Sequence, residues 1–313
     1  MNIVFVEPIG LDDSTKISFS NEMRDLGHVV CYFDQMPTNQ EELLTRSIDA
    51  EILVVSNYNI SKEVVEKLNR LKMIAVAFTG VDHIPLDYIK ERGIIVCNAA
   101  GYSTHAVAEL TIAMAIDLLR KITPFDKITR EAKTRNGYLG AELRGKTFGI
   151  LGYGAIGAEV ASIAKAFGCN IIAWSRSDRK IEGIEFVKLE NLLSAADIVS
   201  LHIPLNEATK ELIGKRELEL MKPDAILINT ARGPIVNSDA LKDALVKGII
   251  AGAAIDVYEH EPPIETNHSL FDAPNTLLLP HIGFATREAI AERSDIVLSN
   301  IRNWMKGNLT NTL

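Results

Sequence analysis

The stretch Lys146-Thr147-Phe148-Gly149-Ile150-Leu151-Gly152-Tyr153-Gly154-Ala155-Ile156-Gly157 decides the fold. Its first half is an apolar run that reads as a buried strand. Its second half spaces three glycines as GxGxxG, and a helical pattern ending at Gly168 leads to another apolar run, Asn170 to Trp174. Strand, glycine turn, helix and strand in that order make a βαβ unit that binds a dinucleotide. The three glycines differ in what they permit. Gly152 makes the tight turn, Gly154 lets a pyrophosphate approach the backbone, and Gly157 lets the helix press on the strand. With Ala155 and Ile156 they open a helix N-terminus, whose amides meet negative charge.

Outward from this unit the same alternation continues. Upstream, Ile3 to Val6, Val29 to Phe33, Ile52 to Val55, Met73 to Phe78 and Ile94 to Cys97 are apolar runs. Amphipathic segments such as Lys62 to Leu71 separate them, with Val64, Val65, Leu68 and Leu71 on one face. Downstream lie Asp197 to His202, Ala225 to Asn229, Ile250 to Ile255 and Thr276 to Leu279. A long helical pattern, Ser103 to Arg120, joins the two series, and a last one covers Thr286 to Gly307. Strands alternating with helices predict parallel sheets, here two doubly wound α/β units rather than one large sheet.

Composition narrows the function. The 313 residues carry a net charge of −8, with no basic stripe, so nucleic acid and anionic lipid are excluded as partners. The longest apolar helix is interrupted by Glu109 and Asp117, and no basic leader precedes Asn2, which predicts a cytoplasmic protein that neither spans a membrane nor is exported. Cys31, Cys97 and Cys169 are far apart and read as core thiols. His83, His105, His260 and His268 lack the paired spacing of a metal site, so no metal is expected. Disorder is expected only in the last few residues.

The second strand of the βαβ unit ends in Ser175-Arg176-Ser177, where an NAD site places a carboxylate for the ribose hydroxyls. Without that carboxylate, Ser175 and Arg176 suit a 2′-phosphate, which predicts NADP in preference to NAD. The alternative is that Arg176 lies over the adenine or points to solvent and both cofactors are accepted.

In an open α/β sheet, ligands bind beyond the carboxyl ends of the strands. Four runs end there in polar residues: His202-Ile203-Pro204, Thr230-Ala231-Arg232-Gly233, Asp256 through Pro262, and Pro280-His281-Ile282-Gly283. His202, Pro204, Thr209 and Thr230 are expected along the cofactor. Reducing a 2-keto acid requires a cation for the carboxylate, an acid for the developing alkoxide, and a partner that keeps the acid charged. Arg232, His281 and Glu261 are the matching residue types. Singly, each reads as an ordinary turn or loop residue.

The glycine turn, Asn229 to Gly233, Asp256 to Pro262 and Leu279 to Gly283 occur in the order found in the D-isomer-specific 2-hydroxyacid dehydrogenase family, which the chain resembles across most of its length. The resemblance points to a glyoxylate/hydroxypyruvate reductase-like or 2-ketoacid reductase-like member. It implies Arg232, Glu261 and His281 as the catalytic set, Asp256 near the nicotinamide carboxamide, and Thr79, Gly80 and Val81 as substrate-binding residues beside Arg232. It also implies a Rossmann dinucleotide-binding domain, 99–285, and a flavodoxin-like substrate domain, 1–98 plus 286–313. Closure of the cleft between them would exclude water, and the long helix would support a homodimer. Two departures stand out: Ser175-Arg176 replaces the ribose-binding acid, and Pro85 stands where the family usually has Asp.

The strand end Ser56-Asn57-Tyr58-Asn59 offers no cation for a phosphorylated substrate, and the sequence ends at Leu313, which is expected to leave out the regulatory domain of many phosphoglycerate dehydrogenases. Tyr58, Phe78, Tyr102 and Phe284 suit an uncharged side chain, leaving glyoxylate, hydroxypyruvate and larger aliphatic or aromatic 2-keto acids open. The rival readings are formate or phosphite oxidation, which related folds perform, and nucleotide sensing as in C-terminal-binding transcriptional corepressors.

Overall fold

The computed structural model describes residues 1–176, 180–261 and 263–313, so Ser177 and Pro262, named above, lie outside the described residues. The chain divides into two compact units, Met1–Ser103 with Thr286–Leu313, and Thr104–Ala285.

Among the described residues, the first unit has a five-stranded sheet of β1 (Asn2–Phe5), β2 (Val29–Tyr32), β3 (Ile52–Val55), β4 (Met73–Val76) and β5 (Ile95–Asn98). All pairings are parallel and the order is β2-β1-β3-β4-β5. Every residue of β3 and β4 is buried, which is why their sequences are unbroken Ile, Leu, Val, Met and Ala. The edge strand β2 has one neighbour and alternates exposed with half-buried residues. This corrects the expectation for Cys31, which lies on β2 and is exposed; Cys97 and Cys169 are buried.

The helices start where the sequence provides caps. Asp12, Asn39, Ser61 and Thr286 each accept a backbone amide three residues on, satisfying one of the open donors of a helix start. Pro85 precedes the helix Leu86–Glu91 without a side-chain cap, so the departure from Asp exchanges a cap for a fixed φ. The amphipathic segment expected to run from Lys62 to Leu71 is helical only to Lys67, although Leu68 and Leu71 are still buried. The last residues are anchored rather than loose: Asn98 N donates to Asn311 O, Leu313 N donates to Val96 O, and Cys97 and Thr312 form an antiparallel bridge. An open edge of β5 supplied those partners.

Among the described residues, the second unit has a seven-stranded sheet of β6 (Thr147–Leu151), β7 (Asn170–Trp174), β8 (Glu185–Phe186), β9 (Ile198–Leu201), β10 (Ile226–Asn229), β11 (Gly252–Ile255) and β12 (Thr276–Leu278). It is parallel in the order β12-β11-β10-β9-β6-β7-β8. The two-residue strand β8 was too short to register as an apolar run. Helix Thr104–Arg120 buries Val107, Ala108, Thr111, Ile112, Met114 and Ala115, a stripe packed with Ile150, Ile228 and Ala254 of the sheet. Full burial of an aliphatic side chain contributes about 1.5–3 kcal/mol, so this stripe fixes the helix firmly. Lys121, in the left-handed region at φ 52°, then starts a separate helix, Ile122–Arg130, that the sequence did not announce. No helix of the described residues is long and apolar enough to cross a membrane.

Both sheets reverse direction beside their first strand, between β1 and β3 and between β6 and β9. The first order is flavodoxin-like and the second is the Rossmann order with one strand added at the β12 edge.

Candidate active site

At the β6–β9 reversal the backbone runs close. Gly152 has φ +97°, and a Cβ there would meet His202 O at 2.4 Å. A Cβ on Gly157 would meet Gly152 O at 2.1 Å, so the helix Ala155–Ala166 sits directly on the turn. Gly154, the residue before the helix, caps it with no side chain, and a Cβ there would enter open space. Uncapped amides facing open space are the cradle a pyrophosphate requires, so the residues present fit a dinucleotide. Ala155 is exposed and Ile156 half-buried at the start of this helix. Beyond β7, Ser175 is half-buried and Arg176 exposed.

Beyond β9, His202 Nε2 lies 2.8 Å from Ser200 Oγ, and burial pushes the imidazole pKa down to about 3. A neutral ring therefore borders the glycine turn at physiological pH. Thr209 Oγ1 donates to Pro204 O at 2.7 Å and accepts from Asn206 N at 2.8 Å, closing the loop after the strand. Thr230, beyond β10, lies 3.2 Å from Thr111 through their hydroxyls. The side chain of Thr209 thus holds its own loop, that of Thr230 ties its strand end to the long helix, and Pro204 is exposed.

Arg232 is half-buried in extended backbone, φ −150°, and its Nη1 donates to Ala231 O at 2.7 Å. Asn229 shapes this turn, donating through Nδ2 to Arg232 O and accepting from Ala231 N. On the adjacent strand end, Asp256 is 1% exposed and accepts from both Ile282 N and Gly283 N at 2.8 Å. Burial raises its carboxyl pKa, with the two amides and the nearby His281 working against that rise. Asp256 therefore holds the loop that carries His281, a function the sequence did not reveal.

His281 itself has φ +54°, the left-handed region that a side chain rarely adopts. The amides just after it are both tied to Asp256, which is how surrounding structure sustains such a backbone. Its Nδ1 donates to Glu261 Oε1 at 2.7 Å, with 23% and 15% of the two side chains exposed. The pair is shielded yet reachable. Phe284 meets the imidazole edge-on, ring centroids 5.5 Å apart. The carboxylate on Nδ1 holds the ring in one tautomer.

In the first unit, Thr79 is exposed and Gly80 and Val81 half-buried beyond β4. Asn98 Nδ2 donates to Thr79 O at 2.7 Å, and Phe78 packs on Tyr102, centroids 6.0 Å apart. Sequence reading missed a pair at the β1–β3 reversal. Glu7, 2% exposed, accepts from Ser56 N and Tyr58 N at 2.7 and 3.0 Å. Arg293, 5% exposed, donates to Ile9 O at 2.7 Å and lies over the Tyr102 ring. A fixed cation thus does stand beside Ser56, correcting the expectation that this strand end has none. No local signal marks it, because Arg293 lies 237 residues away on the last helix.

Residues 112–283 match the family described as D-isomer specific 2-hydroxyacid dehydrogenase, NAD binding domain. The chain belongs to the D-isomer specific 2-hydroxyacid dehydrogenases. It is an oxidoreductase that moves a hydride between a nicotinamide dinucleotide and a 2-keto/2-hydroxy acid pair. Within the family it is 41% identical over 277 residues to the glyoxylate reductase of Thermococcus litoralis, covering 84% of this chain and 82% of that one. Among solved structures it is similar to an acyclic imino acid reductase in complex with NADPH and D-Arg, at 32% identity and TM-score 0.92, with 100% of both chains covered. It is also similar to a glyoxylate reductase from Paecilomyes thermophila, at 31% identity and TM-score 0.89 over 100% of this chain and 98% of that one.

Proposed function

We propose that this dehydrogenase is an NADPH-preferring reductase of small 2-keto acids with uncharged side chains, glyoxylate and hydroxypyruvate first among them, forming the D-2-hydroxy acid. The observation that carries the reading is the 2.7 Å bond between His281 and Glu261 beyond the strand next to the one that ends before Arg232. In the proposed mechanism, Arg232 grips the substrate carboxylate, assisted by backbone amides of Thr79, Gly80 and Val81, and so presents one face of the carbonyl. When bound, the reduced nicotinamide supplies the hydride. Glu261 holds His281 in one orientation through Nδ1, and His281 Nε2 gives its proton to the carbonyl oxygen as the alkoxide develops. Carbon gains the hydride, oxygen gains the proton, and the imidazole is reprotonated from solvent. The glycine turn, Gly152 to Gly157, together with His202, Pro204, Thr209, Thr230 and Asp256, is the proposed cofactor surface.

Three observations support the finer choices. The β7 end has Ser175 and Arg176 in place of an acid, which suits a 2′-phosphate, and a structural neighbour holds NADPH. The Thermococcus and Paecilomyes relatives are glyoxylate reductases. The cation beside Ser56 faces the charge of Glu7 and serves Ile9, leaving it ill suited to a phosphorylated substrate. We also propose a homodimer, which the family resemblance implies with the long helix Thr104–Arg120 as its support. The free cysteines fit a cytoplasmic setting.

The test is initial-rate reduction of glyoxylate, hydroxypyruvate, pyruvate, 2-ketoisocaproate and phenylpyruvate with NADPH and with NADH, for the wild type and Arg176→Ala. The expected result is highest kcat/KM on the two small acids with NADPH, and a loss of about 10-fold or more in NADPH preference in the variant. An unchanged preference would discard the role of Arg176, and no turnover of any keto acid would discard the reading as a whole.

A further inference from the structure

Glu261 and Arg232 stand on different loops, and hydride transfer requires them to hold a fixed separation. The segment that joins these loops contains a polar cluster the proposed mechanism does not use. Gly233, next to Arg232, has no room for a side chain: a Cβ would meet Tyr258 C at 2.1 Å and Glu259 N at 2.5 Å. The Arg232 loop therefore rests on the backbone of Tyr258–Glu259, two residues before Glu261. Glu259 turns its side chain the other way. Its Oε1 accepts from Ser238 Oγ, at the start of the helix that follows Arg232, and its Oε2 accepts from His268 Nε2 at 2.8 Å.

His268 is itself held in place. Its Nδ1 accepts from Leu270 N at 3.3 Å, so Nε2 carries the hydrogen that reaches Glu259. Tyr258 meets the ring edge-on at 5.1 Å between centroids, and Phe271 lies against it at 5.7 Å. Burial works to raise the Glu259 carboxyl pKa, and the bonds from Ser238 and His268 overcome it and leave it below the ordinary value. Glu259 and His268 bond to Ser238, to Leu270 N and to each other, on the segment that leads to Glu261. What they hold is its backbone.

We propose that Glu259 is a positioning residue: clamped by Ser238 and His268, it locks segment 258–261 against Gly233 and so sets Glu261 and His281 relative to Arg232. The inference rests on the roles proposed for those three residues. Two directional bonds to one carboxylate fix its segment in both position and rotation.

The experiment uses the full chain with NADPH and its best keto acid, comparing Glu259→Ala, His268→Leu and His268→Gln. Each variant is measured for kcat, for NADPH affinity by fluorescence, and for the primary isotope effect with deuterated NADPH. Glu259→Ala is expected to lower kcat by about 10- to 100-fold with NADPH affinity unchanged and a larger isotope effect, because misalignment slows the chemical step. His268→Leu should follow it, and His268→Gln, whose amide can donate to Glu259, should recover most of the loss. Should Glu259→Ala fail to fold, the two His268 variants and Ser238→Ala carry the test. Unchanged kcat and isotope effect per folded molecule, with only a lower melting temperature, would overturn the proposal and leave a purely structural cluster. Retained turnover in Arg232→Ala and His281→Ala would instead remove the catalytic reading beneath it.

Discussion

At the β1–β3 reversal the crevice is filled by the protein itself, with the Glu7 carboxylate on the amides of Ser56 and Tyr58 and Arg293 beside it. At the β6–β9 reversal the equivalent crevice is bordered by backbone, Gly152 against His202 and Gly154 facing open space. Both sheets are parallel and doubly wound, and both offer amides at the same topological place. In the first sheet a side-chain carboxylate takes those amides, and in the second a Cβ on Gly154 would meet open space, where the proposed cofactor's phosphates would sit. Fold provides the crevice, and the residue types at the strand ends decide whether it becomes a binding site.

The largest expected effect breaks the second crevice. Gly157→Val places a side chain where even a Cβ would lie 2.1 Å from Gly152 O, so NADPH titration by fluorescence should show binding lost. Binding within error of the wild type would mean the turn is not the cofactor cradle.

Next in size is the first crevice. Arg293→Met removes a cation near the buried Glu7 and the bond to Ile9 O, and urea unfolding should show a loss of about 1–3 kcal/mol. Glu7→Gln combined with Arg293→Met should recover much of it, because removing both charges removes the uncompensated one. A double variant as unstable as the single would show that Arg293 acts through its bonds to Ile9 and Ser56 rather than through Glu7.

The smallest effect sharpens the contrast by pH. Glu7 has its carboxyl pKa raised from 4.5 by burial, so the folded state holds that proton more tightly. Its contribution to stability is greatest in acid and is lost as pH rises through the raised value. His202 runs the other way: its pKa is lowered from 6.5 to about 3, so its contribution is complete above 6.5 and is lost as pH falls toward 3. Unfolding free energies measured between these limits should lose acid sensitivity in His202→Asn, and Glu7→Gln should become more acid-sensitive. Identical pH profiles for both variants and the wild type would contradict the assignment.

The apolar runs made the strands legible because parallel strands covered on both faces need continuous Ile, Val and Leu, as in β3 and β4. The two-residue β8 and the edge placement of Cys31 were invisible because both depend on which neighbour a strand finds. Residue types at the candidate site were also readable: Arg232, Glu261 and His281 each follow an apolar run. The pairing of Glu261 with His281 followed from those types, but the long-range contacts that hold the strand ends did not. Asp256 grips amides 26 and 27 residues away, and Arg293 meets Ser56 across 237 residues. Such contacts leave no periodicity, since they are set by sheet order rather than by local spacing. The anchored tail at Asn311 and Leu313 belongs to the same class.

The most direct test of the central claim is deuterium transfer from labelled NADPH to glyoxylate or hydroxypyruvate, followed by NMR of the product, for the wild type and His281→Ala. The expected result is label at C2 of the D-2-hydroxy acid with hydroxypyruvate, label in the glycolate methylene with glyoxylate, and transfer slowed by about 100-fold or more in the variant at unchanged NADPH affinity. Label transfer at the wild-type rate in His281→Ala would contradict it.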